Sequence, residues 1–380
     1  MRTSTDRVLT THTGSLPRPP GVALPGTDDA LAGARATPDE VRDAVAGIVA
    51  AQIGAGLDVV NDGEVGKPSY STYVVDRLAG FEQGSGETRV LPEAVRFPEY
   101  FARLADQLRR AMTNPVCAGP VSYRDRDPLQ RDIDNLRQAT EGSGAQEVFM
   151  TAASPGVIAQ FMRNRYYPDD DQYVAALAEA MKEEYEAIHA AGFVLQLDCP
   201  DLASWPVAEA RGLSKEEFLH IVARNVDALE QATRNIPPER MRMHVCWGNY
   251  EGPHTHDIPL LEILPLVLPA RPRGLLFEAA NPRHEHEWVL FEDVKLPDDK
   301  VLVPGVLDST TNYVEHPELV AQRITRLARI VGMDRVIAGT DCGFATFAHA
   351  VPVDPRIVWA KLGSLAEGAR IATRQLTGRA

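Results

Sequence analysis

A single parallel (β/α)8 barrel of the TIM type, spanning residues 1–380 and carrying loop insertions, is the fold class this sequence predicts. Three observations carry that expectation. Short apolar, β-branched runs alternate with longer helical patterns from end to end, as repeated β-α units around a mostly parallel sheet require. Nine such runs occur, close to the number that closes a barrel. Nearly every one ends in a polar, chemically capable residue, which fits a fold where the carboxyl ends of all strands meet on one face and build the site there.

The predicted strands lie near Val8–Thr13, Leu57–Asn61, Pro115–Val121, Val148–Ala152 and Phe193–Leu197, then near Met241–Val245, Gly274–Phe277, Val301–Val306 and Val336–Gly339. Since a barrel of this kind closes with eight, one run is an accessory strand or not a strand. Thr37 before Pro38 predicts the start of a helix running to Gly54. A second helix is expected over Asp171–Ala191, stopped by Gly192. Ser214, followed by Glu216 and Glu217, opens a third, and Pro317 starts one that runs to Val331. Thr27–Arg35 and Phe81–Pro92, rich in Gly, Asp and Glu, read as loop insertions.

Composition narrows the function. The chain has 39 Lys and Arg against 53 Asp and Glu, a formal charge of −14, and no basic cluster, which argues against nucleic acid as a partner. No apolar run reaches the roughly 18 residues of a membrane-spanning helix. The polar start of the chain, Met1 to Thr13, lacks the apolar core of a secretory signal, so a cytoplasmic location is expected. Disulfides are then unexpected, and Cys117, Cys199, Cys246 and Cys342 are each a small buried hydrophobe, a nucleophile or a metal ligand.

Strand ends supply the candidate chemistry. In His244-Val-Cys246, residues two apart on a strand point to the same side, so an imidazole and a thiolate can reach one ion. Cys342 and Glu278 end later strands, and a barrel gathers such ends. One histidine, two cysteines and a carboxylate form a soft set suited to zinc rather than magnesium or calcium. The competing reading makes them core cysteines and a hydrogen-bonded histidine. His254-Thr-His256 and His284-Glu-His286 offer rival pairs, but in Pro-rich, charged loops where solvated histidines are expected. Cys117 reads as core, and Cys199 stays open. Glu64 and Asp198 can hold an ammonium group, and Ser15 with nearby backbone N–H groups can receive an anionic head. No Walker loop, nucleophile elbow or dinucleotide fingerprint is present.

On Thr11-His-Thr-Gly-Ser-Leu-Pro17, Asp62-Gly-Glu64, Gln196-Leu-Asp198, His244-Val-Cys246, Phe277-Glu278-Ala and Thr340-Asp-Cys342-Gly, the chain resembles the catalytic barrel of cobalamin-independent methionine synthases. It is also similar to their single-barrel relatives, which include epoxyalkane:coenzyme M transferase. The resemblance implies a zinc ion (Zn2+) on His244, Cys246 and Cys342 with Glu278 as the acidic ligand. It also implies substrate contacts from Ser15, Glu64 and Asp198, and a catalytic place for Asp308. Where methionine synthases follow the aspartate matching Asp308 with a histidine, this sequence has Ser309-Thr-Thr-Asn312. The implied activity is S-alkylation of a small thiol held as a zinc thiolate, most like methyl transfer to homocysteine. Thiol addition to an epoxide is the alternative, and a metal-free decarboxylase of the uroporphyrinogen type shares the barrel. The implied partners are a small thiol and an alkyl donor.

Overall fold

The computed structural model describes residues 1–24, 35–84, 91–108, 114–348 and 352–378. Its strands in chain order are β1 (Leu9–Thr10), β2 (Val59–Val60), β3 (Leu78–Gly84), β4 (Asn114–Tyr123), β5 (Glu147–Ala153) and β6 (Arg163–Asn164). They continue as β7 (Val194–Asp198), β8 (Met241–Val245), β9 (Gly274–Phe277), β10 (Val301–Pro304) and β11 (Ile337–Ala338). A six-stranded parallel sheet runs in the order β10-β9-β8-β7-β5-β2, while β1 pairs in parallel with β11. Parallel bridges from Leu302 to Val336 and from Gly305 to Gly339 join β10 to β11. On the other side the Asp58 N–H donates to the Thr10 carbonyl at 3.1 Å, which seats the start of β2 against β1. The parallel strands thus curl into the predicted α/β barrel.

The ninth predicted run, Pro115–Val121, is the accessory one. It lies in β4, which pairs antiparallel with β3 and parallel with β6 in a separate three-stranded sheet. That pairing also corrects the loop expected from Phe81: Phe81, Glu82 and Gln83 stand opposite Cys117, Val116 and Pro115, so cross-strand hydrogen bonding overrides a polar composition. Pro92 opens a short helix, Pro92–Arg96, rather than ending a loop. The remainder of that segment (85–90), the expected loop over 27–34 and His349 lie outside the described residues.

The helices start where their caps dictate. Thr37 Oγ1 accepts from the Glu40 N–H at 3.2 Å and the Glu40 carboxylate accepts from the Thr37 N–H at 2.7 Å, which sets the start of Pro38–Gly54. Its buried side chains, Ala44, Val45, Ile48, Val49 and Gln52, recur at helical spacing along one face. Ser214 and Glu217 cap Lys215–Ala232 in the same way. Asp169 caps Asp170–Ala190, and Pro317–Val331 begins after His316. No helix among the described residues is long and apolar enough to cross a membrane.

A buried cation ties the inside of the barrel together. Arg242 of β8 donates to Gln196 Oε1 at 2.8 Å, to Thr11 Oγ1 at 3.0 Å and to the His12 carbonyl at 3.0 Å, with its guanidinium 3.5 Å from the centre of the Phe149 ring. Burial pushes its pKa down to about 9, so it stays charged at neutral pH. Gln196 in turn donates to the Thr13 carbonyl and, at 2.8 Å, to Asp198 Oδ1. Arg242→Ala strips three buried acceptors of their donor and opens a cavity, and the expected loss of stability is about 3–5 kcal/mol. Urea denaturation checks this, and a loss below about 1 kcal/mol would show that the clamp is dispensable.

Candidate active site

The carboxyl ends of the strands deliver the predicted residues to one cavity. Ser15, Glu64, Asp198, His244, Cys246 and Cys342 all line it, although they come from opposite ends of the chain. The imidazole of His244 and the sulfurs of Cys246 and Cys342 offer donor atoms that lie within 4.8 Å of one another, all three residues being buried. His244 and Cys246 are brought there by β8, whose end projects alternate side chains to one side. Cys342 follows β11 in a turn stitched by Thr340, whose Oγ1 donates to the Cys342 carbonyl at 2.9 Å.

The electrostatics of this trio are those of a site that wants a cation. Cys246 is drawn well below the usual thiol range by the hydrogen bond from Cys342 and by His244 beside it. The same hydrogen bond, with burial, pushes Cys342 well up. Burial alone would lower His244, but the Cys246 thiolate and Asp198, whose Oδ1 is 3.5 Å from Nδ1, outweigh it and raise the imidazole to about 10. Cys246 is thus drawn toward the thiolate and Cys342 toward the thiol, beside an imidazole raised by its anionic neighbours. A divalent ion with affinity for sulfur and imidazole would supply positive charge among these donors, so the donor set fits zinc.

Glu278 stands apart from the three-donor group. Its Oε1 accepts from the Trp247 N–H at 2.8 Å and its Oε2 from Asn281 Nδ2 at 2.6 Å. Burial first, and then the Cys246 thiolate, push its carboxyl up to about 8. Asp341, next to Cys342, holds the loop that carries Glu278 by accepting from the N–H groups of Ala279, Ala280 and Asn281 at 2.8–2.9 Å. It is a positioning residue, and in the sequence nothing separates it from the other strand-end acids.

Glu64 is held in a left-handed conformation, φ 56°, by its own N–H donating to Asp62 Oδ1 at 3.0 Å. That turn aims its carboxylate at Gly14, where a methyl group would overlap Oε1. Burial raises the Glu64 pKa to about 7, with Lys67 opposing and Asp198 adding to the rise. Ser15 Oγ accepts from the Ala345 N–H at 3.3 Å, and the close approach of Ser15 to Gly343 leaves no space for a side chain there. Asp308 lies elsewhere on the rim, in a neighbouring cleft that shares Cys342 with this cavity.

Several expectations are corrected. His254 and His284 are buried rather than solvated: Asp257 Oδ2 lies 2.9 Å from His254 Nδ1 and 3.0 Å from His284 Nε2, and Glu287 lies 2.8 Å from His284 Nδ1. Partner carboxylates stabilise these rings as a brace beneath the loop after β8. His256 meets Glu209 at 2.9 Å, and His286 is exposed. Cys117 packs in the core as expected. Cys199, left open by the sequence, also packs there, with Sγ directed to the Leu197 carbonyl at 3.5 Å. Asn249 and Tyr70 line the cavity without any sequence signal to mark them.

Comparison with known proteins agrees with this architecture. No protein-family model matches the chain. The methionine synthase of Thermococcus kodakarensis is 25% identical over 341 residues, covering 89% of this chain and 84% of the relative. That of Saccharolobus solfataricus is 25% identical over 339 residues, covering 88% and 85%. Among solved structures, a B12-independent methionine synthase from Shewanella sp. W3-18-1, in complex with selenomethionine, superposes with a TM-score of 0.74 at 21% identity, covering 98% of this chain and all of the other. A putative vitamin-B12 independent methionine synthase from Listeria monocytogenes gives 0.64 at 19% identity, over 96% and 98%. The likeness to methionine synthases runs through almost the whole chain in sequence, and the likeness to B12-independent methionine synthases does so in fold.

Proposed function

We propose that this protein is a zinc-dependent S-methyltransferase that methylates homocysteine or a closely similar amino-acid thiol. The observation that carries the reading is the pairing of two chemistries in one cavity. His244, Cys246 and Cys342 form a soft donor cluster, and Glu64 and Asp198 face the same space as carboxylates with no Lys or Arg among the described lining residues. In this reading His244, Cys246 and Cys342 hold the metal, with Glu278 as an acidic neighbour able to complete the set. Zinc supplies Lewis acidity that ionises a substrate thiol at neutral pH. Glu64 and Asp198 receive the substrate ammonium, which relieves the mutual repulsion of two buried acids. Ser15 and the adjoining backbone N–H groups take the carboxylate end. Four cysteines without disulfides suit a reducing cytoplasm.

A sulfonate thiol such as coenzyme M requires a cation, and no Lys or Arg stands among the described lining residues. Arg18 is occupied by backbone carbonyls of Val65, Ala345, Glu64 and Lys67, and Lys67 donates to Thr151 at 2.6 and 3.1 Å. Arg124 points to the carbonyls of Val75 and Asp76 at an exposed position. The epoxide alternative therefore gains no support, and a metal-free decarboxylase leaves the thiol cluster without a purpose.

Metal content, spectroscopy, pH dependence and substitution each test the proposal. Purified protein should carry about one zinc per chain, and X-ray absorption at the zinc edge should gain a sulfur neighbour when homocysteine is added. Loss of zinc in both Cys246→Ser and Cys342→Ser is expected; full activity in both would end the proposal. Because ammonium binding needs the Glu64 carboxylate, KM for homocysteine should rise about tenfold between pH 8 and pH 6, as protonation sets in below about 7. Glu64→Gln should raise KM at pH 8 and flatten that profile; an unaltered profile would remove Glu64 from substrate binding. Gly14→Ala, which displaces the same carboxylate, should raise KM about tenfold while zinc content stays at the wild-type value.

A further inference from the structure

The thiol cavity has one wall that the substrate contacts above leave unused. Residues 68–70, after β2, and residues 346–348, after β11, lie side by side at the barrel mouth. The Tyr70 N–H donates to the Thr346 carbonyl at 3.3 Å, the Ala348 N–H donates to the Pro68 carbonyl at 2.9 Å, and Ser69 and Phe347 form an antiparallel bridge. Ser69 Oγ accepts from the Thr72 N–H at 2.9 Å, which fixes the chain just beyond this ladder. Tyr70 is thereby set on the cavity, where it shares the lining with Cys246 and Cys342. Its ring packs edge-to-face with Phe161 and Phe347, centroids 5.7 and 5.8 Å away, so two other parts of the chain orient the phenol.

That phenol has no acceptor. Thr13 donates to the Thr340 carbonyl at 2.7 Å and Asn249 to the Gly343 carbonyl at 2.7 Å, so these two cavity donors are engaged. The Tyr70 hydroxyl makes no hydrogen bond among the described residues. Burial first, and then the Cys246 and Cys342 sulfurs, hold its proton well above the usual phenol range, so it is present as a donor. The two sulfurs act on it ahead of Asp198, which points the hydroxyl to the sulfur end of the cavity rather than to the acids assigned to the ammonium. A donor left unmet at a cavity wall costs free energy that an incoming acceptor recovers.

We propose that the Tyr70 hydroxyl donates a hydrogen bond to the sulfur of the bound thiol and so selects a thiolate over a methyl group of similar size, an inference that rests on the thiol-methylation reading above. A thiolate is a charged acceptor, and hydrogen bonds to charged groups are the strong ones. The thioether formed by methyl transfer is a weak acceptor, so the bond fades as the new S–C bond forms. An interaction stronger in the bound substrate than in the transition state contributes to affinity and orientation, and kcat gains nothing from it.

The test compares zinc-loaded wild type with Tyr70→Phe, which keeps the ring and its packing, by calorimetric titration at pH 8. The ligands are L-homocysteine and L-norvaline, which carries a methyl group in place of the thiol and keeps the ammonium and carboxylate. Tyr70→Phe should weaken homocysteine about tenfold and norvaline less than about twofold, with zinc content and Tm at wild-type values. Norvaline binding also reports that the variant's cavity is intact. Equal weakening of both ligands would assign the hydroxyl to the amino-acid end or to packing, and unchanged homocysteine affinity would assign it no ligand contact; either result overturns the sulfur contact while thiol activation stands. If wild type binds homocysteine no more tightly than norvaline, the sulfur is not held at a metal, and the thiol reading falls together with the role of Tyr70.

Discussion

Everything at the mouth of this barrel depends on the sheet curling back on itself. β8 and β11 are three strand spacings apart along the sheet, about 14 Å if it were flat. Yet donor atoms from His244, Cys246 and Cys342 lie within 4.8 Å of one another. Only a closed, strongly curved sheet brings these strand ends so near. The bridges between β10 and β11 and the contact of β1 with β2 therefore belong to the chemistry as much as to the fold.

Inside that curve a single polar chain runs from the barrel centre to the site. Arg242 holds Gln196, Gln196 holds Asp198, and Asp198 faces His244. Each link is buried, so each group is oriented by a partner rather than by water. Around it, the neighbouring acids Glu64, Glu278 and Asp341 are all pushed upward by burial, because the barrel mouth supplies them with few cations. That shortage raises their affinity for protons, so a cation placed among them would displace protons rather than meet free charge.

Much of this was legible in the sequence, for identifiable reasons. Parallel strands buried on both faces leave β-branched runs, and helix starts leave caps such as Thr37 and Ser214. The His244-Val-Cys246 spacing survives because alternation along a strand is a local property. What failed depended on long-range pairing. Phe81–Gly84 looked like loop until β4 supplied its partner, and His254 and His284 looked solvated because Asp257 and Glu287 meet them only after the loops fold. Cys199 could not be assigned until its neighbours in the core were known. Glu278 matched the expected ligand in position, but its hydrogen bonds to Trp247 and Asn281 set it outside the compact donor group.

The strand order has a consequence for biosynthesis. β11, which ends four residues before Cys342, pairs with β1 at the opposite end of the chain. A nascent polypeptide that has exposed only β1 through β10 carries His244 and Cys246 but neither the third donor nor the seam that closes the sheet. The three donors can come together only once β11 has been made and paired with β1, and a chain stopped before that point presents an open sheet edge rather than all three. A metal held by those three donors would be captured only after β11 had closed the sheet.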